Sequence, residues 1–287
     1  MIPAAFDYAR PATVDEALQV IADGGDDVKI LAGGQSLIPV MRLRLAAPEL
    51  LVDLTRVEEL RGVREEGHQL VVGAMTTHAD VLADPLLARY APLLVQATGT
   101  VADRQVRRRG TFGGALAHAD PAGDLPAVAL ALDAEFVIAG PGGRRTVAAA
   151  DFFLDYLTTA LVDGEILVEI ALPKLAADDG WGVRYEKFNR VAQAWSIVAV
   201  AAAVRREGGR ITEARIGLTN MGPTPLRASA TEAALVGVDV SLETVTAAAA
   251  QAAAGTSPSN DLNAQADYRQ HLAQVLTRRA VTAAAGL

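Results

Sequence analysis

Apolar residues in the first part of the chain recur first at helical spacing and then at strand spacing. Residues 13–22 keep their apolar side chains on one face, which predicts a helix. Thr13 can cap its first turn with Glu16 three residues later, and Gly24 and Gly25 end it. The same pattern predicts three strands and two further helices. These are strands 29–32, 50–54 and 69–74, and helices 77–83 and 86–99.

Residues 100–126 interrupt this periodicity with glycine pairs, small side chains and prolines. They predict a long loop, and long loops in compact domains are usually functional. Apolar runs at 135–138 and 145–147 flank a Pro-Gly-Gly turn, which indicates a hairpin. The run 166–170 predicts a strand that ends at a proline.

The pattern changes again after residues 174–180, whose polar and small residues resemble a linker. We therefore predict a mixed α+β domain on each side, covering residues 1–175 and 176–287. The second domain is predicted to contain two sheet strands, two alanine-rich helices and a final helix. These are strands 196–204 and 210–220, and helices 228–235, 242–254 and 268–285.

Composition and charge exclude several classes of function. The 287 residues carry a net charge of -8, which argues against nucleic acid as the main partner because phosphate binding needs a basic surface. The chain has no cysteine, so it cannot hold an iron–sulfur cluster through its own thiolates. The four histidines show no metal-ligand spacing. Without a signal peptide or an apolar run long enough for a bilayer, we expect a cytoplasmic protein.

Two glycine-pair turns are the strongest local signals for ligand binding. The first is Ala-Gly-Gly-Gln-Ser at 32–36, after a predicted strand, and the second is Thr-Phe-Gly-Gly-Ala at 111–115. Glycine pairs bring backbone N–H groups close to a ligand, and several such groups can form a nest for anionic oxygens. Each motif is also compatible with an ordinary turn. The glycine patterns of the Rossmann and P-loop nucleotide sites are absent.

The segment after the second turn contains candidate polar ligands. Asp124 could accept a hydrogen bond from a ribose hydroxyl or a ring N–H, or could satisfy nearby amides. His118 is a candidate donor to a phosphate or ring, although a lone loop histidine often has no chemical role. Asp120, which precedes a proline, is typical of a turn. The basic run 104–109 could attract phosphates, dock an acidic partner or be a solvated face.

Together these residues resemble the FAD-binding medium subunits of molybdenum hydroxylases, the carbon monoxide dehydrogenase medium subunit and xanthine dehydrogenase FAD-subunit family. The resemblance covers essentially the whole chain. The motifs that carry it are Ile2-Pro3-x-x-Phe6-x-Tyr8, Ala32-Gly33-Gly34-Gln35-Ser36-Leu37-Ile38-Pro39, Val72-Gly73-Ala74-Met75-Thr76-Thr77, Gly110-Thr111-x-Gly113-Gly114, Ala119-Asp120-Pro121-x-x-Asp124-x-Pro126, Gly164-Glu165-Ile166-Leu167 and Ile216-Gly217-Leu218-Thr219-Asn220.

The resemblance implies an FAD-binding fold of the vanillyl-alcohol oxidase (PCMH) type, with two α/β subdomains. A C-terminal domain of antiparallel sheet and helices, of the carbon monoxide dehydrogenase flavoprotein type, follows it. The first turn is expected at the pyrophosphate and adenosine, and the segment near Lys187 at the flavin ring. The implied FAD-binding residues are Lys29, Ala32, Gly33, Gly34, Gln35, Ser36, Leu37, Thr111, Gly113, Gly114, Ala115, Asp124, Leu167, Lys187 and Trp195.

Three positions depart from the family pattern. Ala115 replaces a common asparagine, which predicts one hydrogen bond fewer to the flavin. Ala194 replaces an aspartate and Val191 replaces a basic residue, so fewer polar groups remain near the ring. Trp195 offers a large π-surface for stacking, and its alternative role is that of a core tryptophan.

The implied function is electron relay. A partner large subunit with a molybdenum cofactor would oxidise substrate, and a small subunit with two [2Fe-2S] clusters would pass electrons to FAD on this chain. NAD, a quinone or oxygen would then accept them, in a complex expected to be a dimer of heterotrimers. We assign no catalytic acid or base and no metal ligand to this chain. The alternatives are a stand-alone flavoprotein oxidase or reductase, and an assembly protein that has lost FAD.

Overall fold

A computed structural model describes residues 2–287 and shows an α+β protein with three main sheets. Met1, which belongs to the N-terminal segment judged not to be a signal peptide, lies outside the described residues. The strands are β1 (Asp7–Ala9), β2 (Val28–Leu31), β3 (Leu50–Asp53), β4 (Val63–Glu66), β5 (Gln69–Gly73), β6 (Glu135–Gly140), β7 (Gly143–Ala148), β8 (Phe153–Asp155), β9 (Thr158–Thr159), β10 (Ile166–Pro173), β11 (Trp181–Phe188), β12 (Val198–Glu207), β13 (Arg210–Thr219) and β14 (Leu226–Arg227). The helices are α1 (Val14–Asp23), α2 (Leu37–Arg42), α3 (His78–Ala83), α4 (Pro85–Tyr90), α5 (Pro92–Gly99), α6 (Arg104–Arg107), α7 (Phe112–His118), α8 (Asp124–Ala131), α9 (Ala149–Phe152), α10 (Ser229–Leu235), α11 (Leu242–Ala249) and α12 (Ala266–Ala284).

The N-terminal subdomain is a small parallel sheet in the order β1-β3-β2, with α1 connecting its first two strands. The hydroxyl of Thr13 accepts a hydrogen bond from the N–H of Glu16 at 3.1 Å. The Glu16 carboxylate in turn accepts from the N–H of Ala12 at 2.7 Å. Helix α1 therefore begins where the capping pattern predicts, and it buries the face carrying Val14, Ala17 and Ile21.

The second subdomain is an antiparallel sheet in the order β4-β5-β10-β6-β7, and helices α4, α7 and α9 contact its strands. The predicted hairpin is confirmed, since β6 and β7 pair around Pro141 and Gly142. Three phenylalanines, at 136, 152 and 153, meet edge to face at the base of this core.

The C-terminal antiparallel sheet, in the order β11-β12-β13-β14, is buried on both faces. Along β12, Ala199, Ala201 and Ala203 face the core of the second subdomain, while the alternate residues face α12. Small side chains let the layers approach closely: a Cβ on Gly217 would lie 2.2 Å from the carbonyl oxygen of Ala127 in α8. The predicted fold class is confirmed, and the boundary at residue 175 stays a prediction.

Several predicted segments were wrong in detail. Residues 100–126 are not one long loop, because α6, α7 and the start of α8 occupy much of them; these helices are too short to show a clear period. The predicted helix 86–99 is interrupted, and Pro92 starts a new helix there.

The supposed linker is also packed against the core. Leu175 is buried, and its N–H donates to the carbonyl of Tyr90 at 2.7 Å. Residues Ala177–Asp179 form a short 3-10 helix, and strand β11, which the sequence pattern did not predict, follows directly. The helix predicted at 242–254 ends at Ala249. None of the helices formed by residues 2–287 is both long and apolar enough to cross a membrane.

Candidate functional site

A cavity of about 690 Å³ lies where the two subdomains and the C-terminal sheet meet. The ends of β2, α7, α8, β10 and β11 all contribute to its wall. Every residue named above as a candidate FAD ligand, His118 included, lines this one cavity. The fold thus brings together positions that are up to 166 residues apart, from Lys29 to Trp195.

The first glycine turn presents unpaired backbone amides to this cavity. Gly34 has a φ of 72°, a left-handed conformation that glycine adopts without strain. Within residues 2–287, the N–H groups of Gly34, Gln35, Ser36 and Leu37 donate no hydrogen bond. The side chain of Gln35 donates back to the carbonyl of Gly33 at 3.1 Å. Four successive free amides are an arrangement that suits an anionic group such as a phosphate.

The two turns pack directly on each other. A Cβ on Gly33 would lie 2.2 Å from the carbonyl oxygen of Arg109 and 2.7 Å from the Cα of Gly110. A Cβ on Gly114 would lie 2.6 Å from the hydroxyl of Thr111, the residue that caps α7. Glycine is needed at 33 because two backbone segments meet there.

The second turn differs from the first, and the expectation that it repeats the same amide nest is wrong. The N–H of Gly113 donates to the carbonyl of Ala74 at 2.9 Å, and that of Gly114 to the Thr111 hydroxyl at 3.1 Å. The N–H of Ala115 donates to the Thr111 carbonyl. This segment is the first turn of α7, and it offers the cavity a surface of small side chains.

Asp124 is the centre of a buried polar cluster. Its Oδ1 accepts from the hydroxyls of Tyr185 at 2.6 Å and Ser196 at 2.7 Å, and its Oδ2 pairs with the Lys187 ammonium at 2.8 Å. The Asp124 and Lys187 side chains are each 6% exposed. Burial and the adjacent carboxylate raise the pKa of Tyr185 well above its usual value, so its hydroxyl stays a donor.

This cluster modifies the role expected for Asp124. Both carboxylate oxygens are engaged by side chains of the C-terminal domain, so the residue joins the two domains at the cavity. The ammonium of Lys187 also donates to the carbonyl of Thr100 at 3.3 Å. Sequence reasoning missed Tyr185 and Ser196, and the only signal was their nearness along the chain to Lys187 and Trp195.

The mouth of the cavity is formed in part by the loop between β11 and β12. Trp195 lines the cavity and is 57% exposed, which excludes the alternative of a core tryptophan. Val191 is 66% exposed in the same loop, and Ala194 also lines the cavity. The two positions expected to depart from the family pattern thus place apolar side chains in the loop that carries Trp195.

His78 also lines the cavity and was not predicted. It is buried, and burial lowers its pKa from 6.5 to about 4, with a smaller contribution from the Arg107 guanidinium. Its ring packs against Gly110, where a Cβ would lie 2.8 Å from the ring carbon Cδ2. Its Nδ1 has no hydrogen-bond partner within residues 2–287. A neutral imidazole with a free nitrogen is thus part of the wall beside the second turn.

The remaining candidates also line the cavity. Lys29 is exposed and has no ion-pair partner among residues 2–287, and Leu167 is a buried apolar wall residue on β10. His118 ends α7, with its Nε2 4.0 Å from a carboxylate oxygen of Asp120. Asp120 accepts from the N–H of Ala122 at 2.9 Å, which confirms its expected role as a turn residue.

The basic run 104–109 contains one arginine with a structural hydrogen bond and three exposed arginines. Arg107 donates to the carbonyl of Val101 at 2.7 Å, while Arg104, Arg108 and Arg109 are exposed. Across residues 2–287, no group of three or more His, Cys, Asp or Glu residues is placed to hold a metal ion.

Comparison with known proteins identifies the family. Residues 4–175 match the family described as FAD binding domain in molybdopterin dehydrogenase, and residues 183–284 match the CO dehydrogenase flavoprotein C-terminal domain. The carbon monoxide dehydrogenase medium chain of Hydrogenophaga pseudoflava is 44% identical over 284 residues, covering 99% of this chain and 98% of that protein. The 6-hydroxypseudooxynicotine dehydrogenase complex subunit alpha of Paenarthrobacter nicotinovorans is 35% identical, covering 99% and 96%.

Solved structures agree with these relatives. A chain in the structure of the Hydrogenophaga pseudoflava carbon monoxide dehydrogenase that lacks the Mo-pyranopterin moiety of its cofactor superposes with a TM-score of 0.96 and 47% identity, covering 99% of this chain and 98% of that one. The relatives of the present chain are oxidoreductase subunits of multi-subunit enzymes. The chain therefore belongs to the family of FAD-binding medium subunits of molybdopterin-dependent dehydrogenases.

Proposed function

We propose that this chain binds FAD in the cavity and serves as the electron-relay subunit of a molybdenum hydroxylase complex. One observation carries the proposal: the residues expected from the family to hold FAD, although scattered in sequence, line a single cavity. A second supports it, because the first turn leaves four amides without partners at the cavity wall. Unpaired amides are costly unless a ligand or water completes them.

The wall chemistry fits the two ends of FAD. The amides of Gly34 to Leu37 and the ammonium of Lys29, which has no ion pair among residues 2–287, suit the anionic pyrophosphate. At the other end, the apolar Leu167, the Lys187 ammonium and the exposed indole of Trp195 suit a flat ring with polar edges. Ala115 has no polar atom in its side chain, so we expect no side-chain hydrogen bond to the flavin from this position.

When bound, FAD supplies the chemistry of accepting and releasing electrons, while the chain positions it and sets its environment. The residues lining the cavity form no nucleophile-and-base constellation, so we assign them to binding and orientation. With no cysteine, the chain leaves iron–sulfur clusters to another subunit.

The proposed partners are a large molybdenum-cofactor subunit and a small iron–sulfur subunit, assembled as a dimer of heterotrimers. Relatives that match nearly the whole chain are named for substrates as different as carbon monoxide and 6-hydroxypseudooxynicotine. Similarity in this subunit therefore does not select a substrate. We infer that substrate choice resides on the large subunit.

The test is flavin content followed by complex formation. Purified protein, with or without added FAD, should show the visible absorption band of oxidised flavin, and FAD should bind more tightly than FMN because the adenosine end has its own wall. A protein that stays colourless after FAD titration would contradict the proposal and favour the assembly-protein alternative. Copurification of large and small chains, identified by mass spectrometry, separates the relay subunit from a stand-alone oxidase, which would turn over a small substrate alone.

A further inference from the structure

Asn220 joins two segments of the cavity wall. It follows β13 with a φ of 63°, a left-handed conformation in which asparagine is enriched. Its backbone N–H donates to the carbonyl of Pro121 at 2.8 Å. Its side-chain amide donates to the carbonyls of Ser196 at 2.8 Å and Ile197 at 3.3 Å. One residue thus ties the loop before α8 to the segment before β12.

The segment that Asn220 holds carries Trp195. The indole has no hydrogen bond or ring contact within residues 2–287, and more than half of its surface is exposed. On its N-terminal side, two long hydrogen bonds hold the loop among residues 2–287: the N–H of Ala194 donates to the carbonyl of Val191 at 3.3 Å, and the Arg190 guanidinium donates to the carbonyl of Leu262 at 3.4 Å. The orientation of Trp195 is therefore set mainly by the backbone that follows it.

Other groups complete the anchorage of that backbone. The Ser196 hydroxyl donates to Asp124, and the N–H of Ile197 donates to the carbonyl of Phe188 at 2.9 Å. The fully buried guanidinium of Arg269 donates to the Ile197 carbonyl and pairs with Asp261 at 2.7 Å. Of these anchors, Asn220 alone contacts both the Ser196 carbonyl, which adjoins Trp195, and the loop that leads to Asp124.

We propose that Asn220 is a positioning residue that fixes Trp195 at the mouth of the cavity by holding the carbonyls of Ser196 and Ile197. The effect of this positioning on flavin binding rests on the proposed function. The positioning itself is a property of the protein without ligand. The two can therefore be tested separately.

The first experiment follows Trp195 in the protein without FAD. The chain has two tryptophans and five tyrosines, so Trp181→Phe leaves Trp195 as the only tryptophan, and excitation at the red edge of the tryptophan absorption band excites it without the tyrosines. In this background Asn220→Gly removes the side chain but keeps the left-handed backbone and the N–H to Pro121. We expect lower emission anisotropy and stronger acrylamide quenching of Trp195. Asp26→Gly, at an exposed turn position in the N-terminal subdomain, is the control and should change neither.

The second experiment measures FAD affinity. Loss of the clamp should weaken FAD binding about fivefold, the scale of one hydrogen bond. Because Asn220 acts through Trp195, the same substitution should have little further effect in a Trp195→Ala background. An undiminished fivefold loss in that background would overturn the inference.

The outcomes distinguish the two proposals. Unchanged Trp195 anisotropy and quenching in Asn220→Gly would overturn the positioning role, whether or not FAD binds. Failure of the unmodified protein to bind FAD would overturn the proposed function and leave the fluorescence result to decide the positioning role. If Asn220→Gly does not fold, Asn220→Asp, which keeps size and tolerates the same φ, gives the same readout because it places a carboxylate against two carbonyls.

Discussion

Removal of the Asp124 carboxylate tests whether the buried cluster joins the two domains. In Asp124→Ala, the Lys187 ammonium loses its counterion, and the hydroxyls of Tyr185 and Ser196 lose their acceptor. Breaking a buried pair by removing one partner typically costs 3–5 kcal/mol. Because Lys187 lines a cavity that water can enter, we expect the lower end, a loss of about 3 kcal/mol in the free energy of unfolding without FAD.

A second substitution tests whether the loss of stability comes from the unpaired ammonium of Lys187. Adding Lys187→Met to Asp124→Ala removes the unpaired ammonium, so the double variant should be more stable than Asp124→Ala alone. Urea unfolding with linear extrapolation gives the free energy of unfolding of the unmodified protein, of Asp124→Ala and of the double variant, each without FAD. Asp239→Ala breaks the solvent-exposed pair with Arg210 and serves as a control with little effect.

Two results would refute this reasoning. A loss below about 1 kcal/mol in Asp124→Ala would mean that the cluster contributes no more than a surface pair. A further loss of stability on adding Lys187→Met would mean that Lys187 stabilises the fold through its other contact, with the Thr100 carbonyl.

The remaining predictions concern the turn contact and the buried histidine. Gly33→Ala places a Cβ 2.2 Å from the Arg109 carbonyl, so the first turn must move away from the segment that leads into the second, and FAD affinity, measured by fluorescence titration, should fall at least about tenfold. Gly142→Ala, where a Cβ meets nothing within 4 Å, should bind FAD normally in that titration. Because the pKa of His78 is lowered to about 4, its contribution to stability is complete above pH 6.5 and is lost as pH falls toward 4, by about 3 kcal/mol. The free energy of unfolding, measured at pH 7 and near pH 4, should fall by this amount in the unmodified protein and in the control His68→Asn. It should fall less in His78→Asn. An equal fall in all three proteins would contradict the prediction.

The sequence pattern predicted the regular elements where local rules suffice. Thr13 and Glu16 cap α1 through atoms three residues apart, and the Pro-Gly-Gly turn closes a hairpin whose strands are neighbours along the chain. It failed for α6 and α7, which span less than two turns each, and α7 also contains two glycines where a periodic pattern is sought. The residues of the candidate site were predicted from the resemblance to the family and not from the periodicity of apolar positions.

The class of protein can be read from the amino-acid sequence: it is an acidic, cysteine-free chain whose ordered motifs place it in a flavin-binding family. The different roles of the motifs became visible in the folded chain. Within residues 2–287, four amides of the first turn donate no hydrogen bond, while those of Phe112, Gly113, Gly114 and Ala115 in the second donate to Thr76, Ala74 and the capping Thr111. Asp124 is bonded to side chains 61 to 72 residues away. Such contacts depend on how separate layers pack, and no local pattern of residues specifies that.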